Sequence, residues 1–118
     1  MTVSAAAQLT IYRLVQEALT NVVKYAKANE VVVSLQPSPA GGATVAVRDN
    51  GVGFDVGAPR LARHGLIGMR YRVEADGGTM RLESAPGAGT LIEATLPPAP
   101  PEAVEGDGNA AFAAAAEA

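Results

Sequence analysis

The chain reads as an α/β (α+β) two-layer sandwich, with helices covering one face of a mixed, mostly antiparallel sheet. Three observations predict this. A long two-faced helix comes early in the chain. Two pairs of strand-like runs follow, each pair joined by a short Pro- or Gly-containing turn. A second, shorter helix separates the pairs, so both helices can lie on the same side of one sheet.

The first helix spans about Ala7 to Ala28. Ile11, Val15, Ala18, Leu19, Val22 and Ala26 recur at helical spacing on one side, and Arg13, Glu17, Thr20, Asn21 and Lys24 fall on the other. One stripe is available to a core, the other to water or chemistry. Asn29 is the expected C-terminal stop. Val31 to Leu35 is rich in β-branched residues and reads as the first strand, broken by Pro37, Pro39, Gly41 and Gly42. Ala43 to Arg48 is the second, with Val45 and Val47 on one face. Asp49 to Arg63 is irregular and contains several glycines. Leu66 to Ala75 suits a helix that Asp76-Gly77-Gly78 ends. Thr79 to Ser84 is the third strand, with Met80 and Leu82 on one face. Pro86-Gly87-Ala88-Gly89 turns the chain, and Thr90 to Leu96 is the fourth strand, with Leu91, Ile92 and Ala94 on its core side.

The domain boundary falls at the proline cluster beginning with Pro97 and Pro98. Residues 1–97 form the folded domain; residues 98–118 form a Pro/Ala-rich tail with little to bury, expected to be disordered apart from a transient helix over Ala110 to Ala118. With 118 residues the chain can build one core. Two Phe, three Tyr and no Trp leave that core to Val, Leu, Ile and Ala. A net charge of -3 and the lack of a basic cluster argue against nucleic-acid binding. Without cysteine there are no disulfides or thiolate metal sites. No apolar run reaches the roughly 20 residues of a membrane span, and the start lacks the pattern of a signal peptide. A soluble, cytoplasmic domain is expected, with a membrane-anchored parent left open.

Three segments carry candidate chemistry. Glu17, Thr20, Asn21 and Lys24 share a helical face, which for four polar residues is ordinarily just solvated. Asn21 stands out, because asparagine is a poor helix former in mid-helix. A side-chain oxygen offered to Mg²⁺ would account for it, with Glu17 holding a metal-bound water and Lys24 near phosphate charge. Asp49-Asn50-Gly51-Val52-Gly53-Phe54-Asp55 follows a strand. It can be a hairpin turn, but no strand restarts before Thr79. A calcium loop fails because Arg60 stands where the bidentate Glu belongs. Read as a site, Asp49 is an acceptor for a base amino group beside backbone that a ligand can approach closely. Gly65-Leu66-Ile67-Gly68-Met69 opens the second helix, either as an ordinary glycine entry or as backbone N–H groups aimed at phosphate. His64 is the only histidine, and a lone His in a loop is more often incidental. Neither a P-loop nor a dinucleotide-binding glycine fingerprint is present.

Taken in order, Glu17-Ala-Leu-Thr-Asn21-Val-Val-Lys24, Asp49-Asn-Gly-Val-Gly-Phe54, Gly65-Leu-Ile-Gly-Met-Arg70 and Gly89-Thr90 resemble the asparagine box, the two glycine boxes and the final Gly-Thr of the GHKL ATPases. The likeness covers roughly residues 8 to 97. It is strongest to the catalytic ATP-binding domain of bacterial two-component sensor histidine kinases, in the subfamily that signals to LuxR-type response regulators. The resemblance implies a Bergerat fold that binds ATP with Mg²⁺. It implies Asn21 and Glu17 as metal-binding residues, Lys24 near the phosphates and these three as the catalytic set. It implies that Asp49 accepts from the adenine amino group, that Gly51 and Gly53 let the base approach, and that Thr90 supports the adenine end. His64, Gly65, Leu66, Gly68 and Met69 would belong to the phosphate-binding lid.

Tyr25, Arg63 and Tyr71 depart from the usual wording without removing an expected ATP ligand. A phosphoacceptor histidine on a dimerisation helix is not recognisable, so the resemblance implies transfer of the γ-phosphate to a histidine on a separate domain, expected N-terminal to Met1 in a longer parent. The partners implied are that domain and, through the parent, a response regulator; the isolated domain is expected to be monomeric. A free-standing GHKL serine kinase of the anti-sigma-factor type and a non-catalytic ATP-binding module are the alternatives.

Overall fold

The computed structural model describes residues 2–55 and 65–100. Arg63, His64 and the tail beyond Pro100 lie outside the described residues. Helix α1 runs from Ala5 to Asn21 and passes directly into a π-helical segment, Val22–Ala26. Strands β1 (Val31–Pro37) and β2 (Ala43–Asp49) form a hairpin, helix α2 covers Leu66–Ala75, and strands β3 (Thr79–Ser84) and β4 (Thr90–Leu96) form a second hairpin. The sheet order is β1-β2-β4-β3. All three pairings are antiparallel, so the described sheet is not mixed.

Local chemistry explains the boundaries. Ser4 starts α1 by accepting the Ala7 N–H at 3.1 Å, a side-chain cap that satisfies one of the orphan donors of the first turn. The regular helix stops at Asn21, not at Ala28, and Lys27 (φ 51°), not Asn29, takes the left-handed closing position. Asn29 bonds instead to Asn50 across the fold. At the far end of α2, the Gly78 N–H returns to the Val73 carbonyl at 2.9 Å, and Gly77 is left-handed. Such a return bond satisfies a last-turn carbonyl.

The core lies between the helices and one face of the sheet. Ala7, Ile11, Leu14 and Ala18 of α1 meet Val45 and Val47 of β2, Ile92, Ala94 and Leu96 of β4, and Leu66, Met69 and Val73 of α2. Leu14 and Val73 are among the largest fully buried side chains, each worth about 1.5–3 kcal/mol of transfer free energy. Leu14 was absent from the predicted stripe. Val22 and Ala26, which were in it, are only half-buried. The i→i+5 winding after Asn21 widens the turn and breaks the 3.6-residue register on which the stripe depends. Leu91 also differs from expectation. It is buried, but it is paired with Arg48 and Glu83 on the face away from the helices.

The Thr10 hydroxyl donates to the Asp76 carboxylate and so joins α1 to the end of α2. The helices leave β1 open. Val31, Val33 and Leu35 are 38%, 44% and 42% exposed.

Candidate nucleotide site

A cavity of about 410 Å³ opens where α1 gives way to the π-helical segment, opposite the ends of β2 and β4. Its size falls within the roughly 300–1,000 Å³ of small-molecule sites. Asn21, Val22, Tyr25 and Ala26 form the helical wall; Val47, Asp49, Thr90 and Ile92 form the sheet wall; Val52, Gly53, Phe54 and Leu66 close the rim. Apolar side chains therefore enclose four polar ones, Asn21, Tyr25, Asp49 and Thr90, contributed by four different elements. That composition suits a flat aromatic ring with a few fixed hydrogen bonds.

Strand alternation explains why Asp49 faces the cavity. Ala43, Val45, Val47 and Asp49 point to the same side of β2, and the first three are core. Asp49 is therefore a carboxylate at the last position of a core-facing row, 8% exposed. Its Oδ1 accepts the Gly51 N–H at 2.8 Å, which fixes the orientation of the group.

The glycines that follow are required by their neighbours. A Cβ on Gly51 would collide with the Ala26 carbonyl, and that carbonyl accepts the Val52 N–H at 2.7 Å. Gly53 has φ 65°, and a side chain there would run into the Ala85 carbonyl. The loop is thus pressed between the π-helical segment and the β3–β4 turn.

Asn50 holds this arrangement together. Its Oδ1 accepts the N–H groups of Asn29 and Glu30, each at 3.1 Å. Its Nδ2 donates to Asn29 Oδ1 at 2.6 Å, and its backbone N–H donates to the Glu30 carbonyl. One side chain therefore ties the chain leaving the helical wall to the loop that carries Asp49. In the sequence Asn50 is legible as part of a turn signal and of the first glycine box, not as an anchor. Its partners lie 20 and 21 residues away, which no local pattern reveals.

Of the residues singled out from sequence, Asn21, Asp49, Gly53, Leu66 and Thr90 line the one cavity. Gly51 is buried behind it. Glu17, one turn before Asn21, has its carboxylate against Gly65 at the start of α2, where any side chain would collide with it. Lys24, Gly68 and Met69 are not in the cavity wall. Lys24 and Gly68 are exposed, and Met69 is part of the core. His64 lies outside the described residues. Tyr25, Val22 and Phe54 belong to the wall and were not predicted as site residues; aromatic and apolar positions flanking the two polar motifs were the available signal.

The donor set fits Mg²⁺ bound jointly with phosphate. Among the described residues no three acidic, His or Cys side chains converge on a point. Mg²⁺ characteristically takes one or two protein oxygens and completes its shell with phosphate and water. The Asn21 amide oxygen is a hard donor on the cavity wall, and Glu17 is one helical turn away.

Comparison with known proteins identifies the family and the fold. Residues 6–100 match the family described as histidine kinase-, DNA gyrase B-, and HSP90-like ATPase. The nitrate/nitrite sensor protein NarQ of Escherichia coli is 36% identical over 92 residues, covering 78% of this chain and 16% of NarQ. The signal transduction histidine-protein kinase/phosphatase DegS of Brevibacillus brevis is 38% identical over 90 residues, covering 76% of this chain and 23% of DegS. The chain thus spans about a quarter or less of the length of these two relatives. Among solved structures, the ATP-binding domain of PrrB from Mycobacterium tuberculosis is similar, with TM-score 0.61 and 29% identity over 82% of this chain and 71% of that one. Acinetobacter baumannii AdeS shares the fold, with TM-score 0.60 and 16% identity over 72% of this chain and 44% of that one. With a family match over nearly all the described residues, the chain belongs to the histidine kinase-, DNA gyrase B- and HSP90-like ATPase family.

Proposed function

We propose that this chain is the catalytic ATP-binding domain of a sensor histidine kinase, which binds Mg-ATP and offers the γ-phosphate to a histidine on a separate domain of a longer protein. The observation that carries the reading is that Asp49 and Asn21, far apart in sequence, line one cavity from the sheet side and the helix side. In this reading Asp49 accepts from the adenine amino group at one end. The ring lies against Val47, Ile92 and Phe54, and the Asn21 oxygen meets the metal at the other end. Lys24, exposed one turn beyond Asn21, is close enough in the chain to reach a triphosphate leaving the cavity. Glu17 lies between the helix and the start of α2, where it can orient water or metal. In this reading Gly65 and Gly68 open α2 toward the phosphates, with Leu66 and Met69 packed beneath them in the core; His64, assigned to the same lid by likeness, lies outside the described residues. Bound Mg²⁺ supplies charge neutralisation on the phosphates. Phosphoryl transfer calls for positioning and electrostatic stabilisation more than covalent chemistry, and a rigid base site with polar groups at one mouth provides both.

The parent would pass the phosphate on to a response regulator, of the LuxR type by sequence likeness. No helix among the described residues is long and apolar enough to cross a membrane. The test is phosphotransfer. The chain is mixed with γ-labelled ATP, Mg²⁺ and a histidine-containing dimerisation domain from a sensor kinase of the same subfamily. Label that appears on the acceptor and is lost in acid supports the reading. Acid-stable label on serine would move the chain to the serine kinases, and tight ATP binding without transfer to any acceptor would leave a nucleotide-binding module.

A further inference from the structure

Ser84, Thr90 and Asp49 form one row across three strands: Ser84 is opposite Thr90, and Thr90 is opposite Asp49. Directly opposed residues share a face of the sheet, and Thr90 and Asp49 both line the cavity. The Ser84 hydroxyl has three partners. It donates to the Gly89 carbonyl at 2.9 Å. Its oxygen accepts the Phe54 N–H at 2.9 Å. The third partner is the Thr90 hydroxyl, also at 2.9 Å.

A serine hydroxyl has one proton and two lone pairs. The Gly89 carbonyl can only accept, so the Ser84 proton is committed there. Between the two hydroxyls Thr90 must then be the donor. Its proton is directed at Ser84, and only lone pairs remain on Thr90 Oγ1 for any other partner. Beside it stands the Asp49 carboxylate, which is also an acceptor.

Building on the ATP-site reading, we infer that Ser84 is a positioning residue that makes Thr90 an acceptor and thereby selects a purine with a 6-amino group over one with a 6-oxo group. A 6-amino group has two protons to offer, directly or through water, to two neighbouring acceptors. A 6-oxo group brings lone pairs toward lone pairs, and a site rejects a competitor most strongly through such mismatched polar groups. Ser84 itself does not line the cavity; it acts through the Thr90 proton. The same hydroxyl also fastens the glycine loop, through Phe54, to the β3–β4 turn.

The test compares ATP with inosine triphosphate, which carries a 6-oxo group, both with Mg²⁺. Affinities are measured by calorimetry for the wild type and Ser84→Ala, with thermal melts in parallel. Freed from Ser84, the Thr90 hydroxyl can rotate and donate to an oxo group. The ratio of ATP to inosine triphosphate affinity is expected to fall by about tenfold, the scale of one net hydrogen bond. A merely structural Ser84 would weaken both nucleotides by the same factor, and an unchanged ratio overturns the inference. Thr90→Val keeps the shape and removes the lone pairs; it should lower the same ratio even if Ser84→Ala does not fold, and an unchanged ratio there is equally fatal. Wild-type protein that binds ATP without preferring it sinks this inference alone. Wild-type protein that binds neither nucleotide removes the ATP site on which it rests.

Discussion

The two ends of the first helix obey different rules. Along Ala5–Asn21 the buried positions Ala7, Ile11, Leu14 and Ala18 keep helical spacing and pack into the core. Along Val22–Ala26 no residue is buried, Val23 is 85% exposed, and the winding changes to π. Yet both ends are rich in apolar residues. The first stretch is apolar because it is packed against the sheet. In the second, Val22, Tyr25 and Ala26 line a cavity. A π-helical turn is a frequent mark of a functional position; here it begins directly after Asn21.

That contrast can be broken or sharpened by substitution. The largest stability effect is expected at the packed end. Leu14→Ala should cost about 2–5 kcal/mol in denaturant unfolding, because Leu14 is 2% exposed. The remaining folded protein should bind Mg-ATP within about fivefold of wild type, because Leu14 does not itself line the cavity, although Val47, Leu66 and Ile92 belong to both core and wall and carry some coupling. A large affinity loss there would mean the core and the cavity are not separable.

Asn50→Ala addresses the join between the cavity's two walls. Three side-chain hydrogen bonds are lost. At exposed positions their combined cost should be about 1–2 kcal/mol, below the sum of three typical bonds. Because the clamp connects the helical wall to the Asp49 loop, Mg-ATP affinity should fall roughly fivefold or more while adenosine affinity changes less. Equal losses for the two ligands would reduce Asn50 to a stability element.

The smallest effect is expected at the closing residue. Lys27 is the one described non-glycine residue with positive φ, and Lys27→Gly should stabilise the domain by up to about 1 kcal/mol, the cost of a left-handed side-chain residue. Nucleotide affinity should not move. A lower melting temperature would show that the Lys27 side chain has a role beyond capping.

How much could be read in advance follows the same division. Strand positions were legible because alternation and turn residues are local: Met80 and Leu82, Val45 and Val47 share the faces their spacing predicts. Leu66–Ala75 was legible as a helix, bounded by glycines. Asn21 attracted notice as a poor helix former in mid-helix and Asp49 as a carboxylate at a strand end beside glycines, and both line the cavity. Thr90 was identified only through family likeness, since a threonine opening a strand is ordinary. Val22 and Ala26 were read as core because a 3.6-residue stripe cannot anticipate a change of winding. Asn50 and Ser84 were missed as anchors because their partners come from distant segments. Ser84 was nonetheless recoverable in part, since a hairpin turning at Pro86–Gly89 brings it opposite Thr90.

The central claim is that Asp49 reads the base. Asp49→Asn tests it with little change of shape. The new side chain has one acceptor oxygen, which the Gly51 N–H already claims, so its NH₂ would face the cavity and meet the adenine amino group donor to donor. Calorimetric titration with Mg-ATP should show an affinity at least about 100-fold weaker than wild type, the scale of one charge-assisted hydrogen bond, with a melting temperature within a few degrees. An Asp49→Asn protein that binds Mg-ATP as tightly as wild type would contradict the account.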